Sequence, residues 1–323
     1  MDFLKVTNLS CSVRTPKGKI DLIHDVSFSI GAGERWGIVG ESGCGKSLTS
    51  LAMTGLLPDN ISAEGRVMFQ GIDLLNASEK KIRRWRGKKI AMIFQNPVKA
   101  LNPIKRIGSQ IEEVMGLHFS LRRNQKKNRT MELLETVQLT PSEQFYSRFP
   151  HELSGGQLQR VAIAIALACE PELIIADEPT TALDSSVQKK ILELIISLTK
   201  QHKMSLLLIS HDIGVVTFAT EKIMVMYSGQ IVETLPAKAL MNQTSHPYSK
   251  GLLESIPDSA RSDALLKTIS GQVVSPENRP SGCPFHPRCS RQIELCCSVN
   301  PPLAELSSDH QISCHNPLPL PVK

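Results

Sequence analysis

Residues 40–47 read GESGCGKS, a fit to the phosphate-loop pattern G-x-x-x-x-G-K-[ST], set between an apolar strand (RWGIV) and a helical pattern as that motif requires. Gly40, Gly43 and Gly45 let successive backbone N–H groups point into one concavity, where with the helix N-terminus they hold phosphate oxygens. Glu41, Ser42, Cys44 and Leu48 complete the binding segment, Cys44 as a small residue that the turn tolerates. Lys46 brings a point charge to the β and γ phosphates, and Ser47 a hydroxyl to Mg2+. Residues 173–178, LIIADE, are four apolar residues followed by two carboxylates at a strand's C-terminal end, where ligands sit in open α/β sheets. There Asp177 can hold Mg2+, directly or through water, and Glu178 can polarise an attacking water. An apolar strand ending in acids is common, so this second motif takes its meaning from the phosphate loop upstream.

The elements that must carry these residues are readable from periodicity. Residues 4–13 and 26–30 read as short strands around a TPKGK turn and give an antiparallel flap. From Arg35 the pattern becomes strand, glycine loop and a helix over about 46–57 ended by Pro58, the opening of a βα unit. Residues 97–155 carry helical spacing and read as an inserted helical subdomain. Strand and helix then alternate through 173–176, 187–198, 205–209 and 222–227, which predicts a mainly parallel sheet. Beyond about residue 246 the texture changes: nine of the 20 prolines follow Val274 and five of the eight cysteines follow Pro280. The reading is an α/β domain over 1–245 and a small loop-rich, cysteine-containing domain over 246–323, with no internal repeat.

Composition is that of an ordinary globular chain: 323 residues, 41% hydrophobic and 21% charged. The longest nearly apolar run, residues 161–169, is about half of the roughly 18 residues needed to span a bilayer. The start, MDFLKVTNLSCSV, lacks the pattern of a secretory signal, so the chain reads as cytoplasmic and its cysteines as reduced thiols or metal ligands. Much of the formal charge of +6 sits in residues 80–89 and 122–129, which read as solvated faces.

Between the two phosphate-site motifs lies LSGGQ, residues 153–157, directly before an apolar helix. With it the first 245 residues or so resemble the ATP-binding-cassette family. Gln95 in IFQNP resembles that family's Q-loop, residues 182–184 (ALD) its D-loop, and His211 in LLLISHD its switch histidine. The resemblance implies a P-loop ATPase of cassette type with the flap and helical subdomain just described, binding ATP and Mg2+. It also implies two cassettes that close face to face, so that Ser154, Gly155, Gly156 and Gln157 of one cap the γ-phosphate held by the other. Gln95 then touches Mg2+ or water, His211 the γ-phosphate, and Asp184 links the two sites. The family often stacks adenine on an aromatic residue in the flap; Val13 holds that place here, so no adenine-stacking residue is assigned.

The tail, with HPYSKGLL at 246–253, GCPFHPRC at 282–289 and SCH at 313–315, resembles the C-terminal extension of the peptide and nickel importer ATPases. Cys283, Cys289, Cys296 and Cys314 match cysteines that in some relatives hold a 4Fe-4S cluster. Four thiolates suit that cluster or tetrahedral zinc, and the gaps of five and six residues, longer than a zinc knuckle, favour iron–sulfur. Cys297 adjoins Cys296, so either can be the third ligand.

The resemblance implies an importer motor on the cytoplasmic face of a bacterial inner membrane. It pairs with a second, homologous ATPase chain, beneath two permeases fed by an extracytoplasmic binding protein. Residues 94–111 resemble the part that receives the permeases' coupling helices. Cargo is a di- or oligopeptide, with nickel, a metal chelate or an antimicrobial peptide as alternatives. A soluble cassette acting on nucleic acid is the competing class; the single cassette, the absence of a long heptad coiled coil and the tail argue against it.

Overall fold

The computed structural model describes residues 3–16, 18–181, 183–256 and 268–320. Its strands in chain order are β1 Leu4–Thr15, β2 Gly18–Ile30, β3 Arg35–Val39, β4 Ile61–Phe69, β5 Ile72–Asp73 and β6 Ile90–Ile93. They continue with β7 Leu173–Asp177, β8 Ser205–Ser210, β9 Lys222–Tyr227, β10 Gln230–Pro236, β11 Ala304–Ser307 and β12 His310–Ile312. The chain divides into two compact units. One comprises the described parts of Met1–Ser29, Trp36–Leu75 and Ser210–Lys323, the other Ile30–Arg35 and Asn76–Ile209.

In the first unit the flap is a sheet of order β2-β1-β4-β5. β1 and β4 run antiparallel from Leu4↔Phe69 to Val13↔Ile61, with a register shift between Thr7 and Ser10. That bulge is written in the sequence: the buried side chains switch from the even positions Leu4 and Val6 to the odd positions Leu9 and Cys11. An extra residue in one strand is what moves the inward face by one position. β2 begins at Gly18, well before the expected residue 26.

The same unit holds strands in the order β11-β12-β10-β9-β3. β3 and β9 are parallel, while β9, β10, β12 and β11 pair antiparallel in turn. The parallel reading therefore holds for the strand that leads to the phosphate loop and fails beyond β9, where tight connections such as Ser228–Gly229 replace helical crossovers. The extension's hairpin β11–β12 continues the edge of β10. Tyr248, Cys283, Phe285 and Cys296 from the extension share one core with Val39, Ile223, Val225 and Tyr227. The rings of Tyr227, Tyr248 and Phe285 lie 4.6–5.3 Å apart, which ties this loop-rich segment down with aromatic burial that its own small core lacks.

The second unit has the parallel strands β8-β7-β6 and the inserted helices. Helices Ile107–His118, Arg123–Thr136, Ser142–Ser147 and Gly155–Leu167 bury stripes at helical spacing, for example Ile107, Ile111 and Met115. Part of the basic runs is consumed internally, Arg86 by Glu79, Lys89 by Glu172 and Arg129 by Glu170. No helix among the described residues is long and apolar enough to cross a membrane.

Candidate functional site

β3 delivers the phosphate loop from a buried strand into helix Lys46–Thr54. Gly40 must be glycine because a Cβ there would stand 2.2 Å from the Met226 carbonyl oxygen, and Gly45 because its φ is +106° at the helix N-cap. The first turn of the helix contains no acidic residue, so its positive end is unopposed. Ser42 and Gly43 lie exposed at the loop's crest, and Ser47 and Leu48 are half-buried. Lys46 is buried, its Nζ donating to the carbonyls of Gly40 at 2.9 Å and Glu41 at 3.0 Å. Burial pushes the Cys44 thiol up, so it stays neutral inside the loop. The helix ends at Thr54 on Gly55, φ 64°, earlier than Pro58: a left-handed glycine cap stops the helix before the proline can.

Glu41 is held at three points within the same unit. Its N–H donates to Tyr248 Oη at 2.9 Å, its carbonyl accepts from Lys46, and its carboxylate takes both arms of Arg288 at 2.8 and 3.1 Å. Burial pulls the Arg288 guanidinium down and the Glu41 hydrogen bond raises it further, leaving it above the usual arginine range. His211 is exposed just past β8, followed by Asp212, whose Oδ1 accepts from Gly214 and Val215 N–H and starts helix Ile213–Ala219.

In the second unit β7 ends in Asp177, buried at 7% exposure, and Glu178. Glu178 adopts φ 47°, a left-handed conformation that costs about 1–3 kcal/mol in a non-glycine residue and collects at functional sites. Its N–H donates to Ile209 O at 2.8 Å. Gln95 Nε2 donates to Glu178 Oε2 at 3.0 Å, and Thr181 Oγ1 donates to the same oxygen at 2.9 Å. Thus two residues 83 positions apart, both singled out from sequence, are brought together, and Thr181 joins them unannounced. Asn96 behind Gln95 caps helix Pro97–Ala100.

Ser154 and Gly155 are exposed at the start of helix Gly155–Leu167. Ser154 and Gln157 form a capping box: Ser154 N–H donates to Gln157 Oε1 at 3.0 Å, and Gln157 N–H to Ser154 Oγ at a long 3.4 Å. Asp184 caps helix Ser185–Gln201, accepting from Val187 N–H and Ser186 Oγ, and these bonds hold its carboxyl below the ordinary range. Ala182 of the expected D-loop lies outside the described residues.

Cys283 and Cys296 are buried, Cys289 and Cys314 half-buried. Burial pushes the Cys283 and Cys289 thiols up, and Cys314 up to about 11, with the other thiols adding to the shift. Cys283 and Cys296 share one core, with Cys289 packed against it. Among the described residues, however, no group of three or more His, Cys, Asp or Glu stands ready to hold a metal ion, so the expected metal centre is not formed as such. Cys297 turns elsewhere, its Sγ accepting from Gln292 Nε2 at 3.2 Å.

A phosphate loop after a parallel strand, a strained acid following another strand and an inserted helical region are the parts of a cassette ATPase. The family model described as ABC transporter matches residues 23–181, and that of the oligopeptide/dipeptide transporter C-terminal region matches residues 232–296. The dipeptide transport ATP-binding protein DppD of Haemophilus influenzae is 43% identical over 320 residues, covering 98% of this chain and 96% of that protein. The oligopeptide transport ATP-binding protein OppD of Salmonella typhimurium is 40% identical over 315 residues, 98% of this chain and 94% of that protein. Among solved structures, the dimeric ATP-binding cassette MJ0796 in a post-hydrolysis state with ADP and Pi superposes with TM-score 0.65 at 30% identity. It covers 72% of this chain and 98% of that one. The chain belongs to the ATP-binding-cassette transporter ATPases that carry the oligopeptide/dipeptide transporter C-terminal region, and it is an ATPase.

Proposed function

We propose that this chain is the ATP-hydrolysing subunit of an importer for di- or oligopeptides. The observation that carries the reading is the similarity to peptide-transport ATP-binding proteins over 98% of the chain, extension included. In this reading the backbone N–H groups of residues 40–47 and Lys46 hold the phosphates. Ser47, Asp177 and Gln95 are hard oxygen donors that suit Mg2+, which when bound neutralises charge between the β and γ phosphates. Glu178 polarises the attacking water. Gln95 and Thr181 both donate to one of its oxygens, which fixes the carboxylate's plane. His211 contacts the γ-phosphate.

The site is completed in trans. The helix start at Ser154, Gly155 and Gly156, exposed at the first two, offers N–H groups to the γ-phosphate held by a second ATPase chain, and the long Ser154–Gln157 bond is readily exchanged for it. Asp184 lies at the joint between the two chains. Phe94, Val98 and Ile104 are exposed at 41%, 60% and 83%, a short apolar surface suited to the coupling helices of two permeases. An extracytoplasmic binding protein delivers cargo, and the chain itself sits peripherally on the cytoplasmic face of the membrane. Cys283, Cys289, Cys296 and Cys314 are the thiols that would hold a 4Fe-4S cluster, or zinc, as a cross-link for the proline-rich extension; the engagement of Cys297 Sγ by Gln292 favours Cys296 as third ligand.

Uptake by cells lacking this chain tests the cargo. Restoring the chain is expected to restore uptake of labelled tripeptide, competed by unlabelled di- and oligopeptides. Restored nickel uptake with no peptide uptake would reject the peptide assignment.

A further inference from the structure

The phosphate loop contains an acid, Glu41, whose charge is answered from 247 residues away by Arg288 of the extension. The pairing is a fork: two guanidinium nitrogens meet the two carboxylate oxygens at 2.8 and 3.1 Å, with the Arg288 side chain only 4% exposed and Glu41 25%. Arg288 is oriented independently of Glu41. Its Nε donates to Ser270 O at 3.0 Å, and its guanidinium lies 5.8 Å and 6.0 Å from the ring centroids of Tyr227 and Phe285. Tyr248, from the same extension, accepts the Glu41 N–H. The loop is thus gripped at its first variable residue by side chain and backbone together.

A carboxylate in a loop that receives a triphosphate opposes the ligand, and partial burial weakens the screening that would otherwise dull the repulsion. A fixed guanidinium on that carboxylate cancels the opposing charge before ATP arrives. We propose that Arg288 is a positioning residue of the ATP site: it neutralises Glu41 and holds the phosphate loop, so that ATP affinity depends on the C-terminal extension. The inference rests on the reading that residues 40–47 bind the phosphates.

Calorimetric titration of the full-length chain with Mg·ATP tests it, using wild type, Arg288→Met, Arg288→Lys and the double variant Arg288→Met/Glu41→Gln, with Lys46→Ala as control. Arg288→Met is expected to weaken ATP binding about tenfold, and removing the opposing carboxylate in the double variant to recover it to within about threefold of wild type. Arg288→Lys, which keeps the charge and loses the fork, is expected to stay within about threefold, and Arg288→Gln, expected to weaken binding about as much as Arg288→Met with wild-type affinity overturning the proposal, carries the test should Arg288→Met not fold. A purely structural role predicts no recovery, because the double variant restores no packing. Wild-type affinity in Arg288→Met, or a double variant as weak as the single, would overturn the proposal. Equal binding by wild type and Lys46→Ala would instead overturn the phosphate-loop reading beneath it.

Discussion

Gln95 and Glu178 are joined by a hydrogen bond of 3.0 Å, from the amide two residues past the end of β6 to the acid directly past the end of its parallel neighbour β7. The bond fixes a carboxylate whose backbone is already strained at φ 47°. Gln95→Ala leaves Thr181 as the remaining named donor to that oxygen and lets the carboxylate turn. Steady-state hydrolysis by the assembled complex is expected to fall about tenfold to 100-fold, with thermal stability almost unchanged because the pair is exposed. A parallel loss of melting temperature would mark the pair as structural.

Ser154 separates two roles that a single substitution can tell apart. As an exposed N-cap its loss in Ser154→Ala costs about 1 kcal/mol of stability, a shift of a few degrees in melting temperature. If Ser154 caps the phosphate in trans as proposed, its loss is also expected to lower turnover of the assembled complex by about 100-fold while ATP binding to the isolated chain is unchanged. Melting curves and turnover measured on the same preparation check both.

Cys296 and Cys297 are adjacent, yet one is buried beside Cys283, whose N–H donates to the Cys296 carbonyl at 2.9 Å, and the other accepts from Gln292. An anaerobically purified chain is expected to show iron–sulfur absorption that survives Cys297→Ser and disappears in Cys296→Ser. The converse pattern would exchange the third ligand.

His246 is fully enclosed, and burial draws its imidazole down to about 4 against the opposing pull of Glu233. Its Nδ1 accepts the Tyr248 N–H at 3.1 Å, a bond that needs the neutral ring. The unfolded chain takes up this proton near pH 6.5, the folded chain only near about 4. Stability from this group is therefore complete above about pH 6.5 and falls, by about 3 kcal/mol in all, as the pH drops to about 4. Urea titrations across that range should show the slope in wild type. It should flatten in His246→Asn, which keeps an acceptor and removes the titration.

How far the sequence speaks for itself differs by element. The phosphate loop, Gln95, Glu178, the signature at 153–157 and His211 stand out in the sequence because each sits in a local motif, and of these the structure joins Gln95 to Glu178. The β1 bulge was also present, as a change of burial phase at Leu9, but a run of short alternations hides it. The helix after the loop reads about three residues too long, to 57 rather than Thr54, because Pro58 is the more conspicuous stop and Gly55, whose φ of 64° ends the helix, is not. Arg288 and Tyr248 could not be found this way: a contact across 247 residues leaves no spacing or periodicity to detect. Thr181 had no signal beyond its place after Glu178, and Asp184 reads equally well as a helix cap and as a joint residue.

The most direct test of the account is steady-state ATP hydrolysis by the assembled complex carrying Glu178→Gln. The account predicts turnover lowered by at least about 100-fold with ATP still bound and the paired cassettes held closed. Turnover within twofold of wild type, give or take about the error of the assay, would contradict the assignment of Glu178 and with it the mechanism.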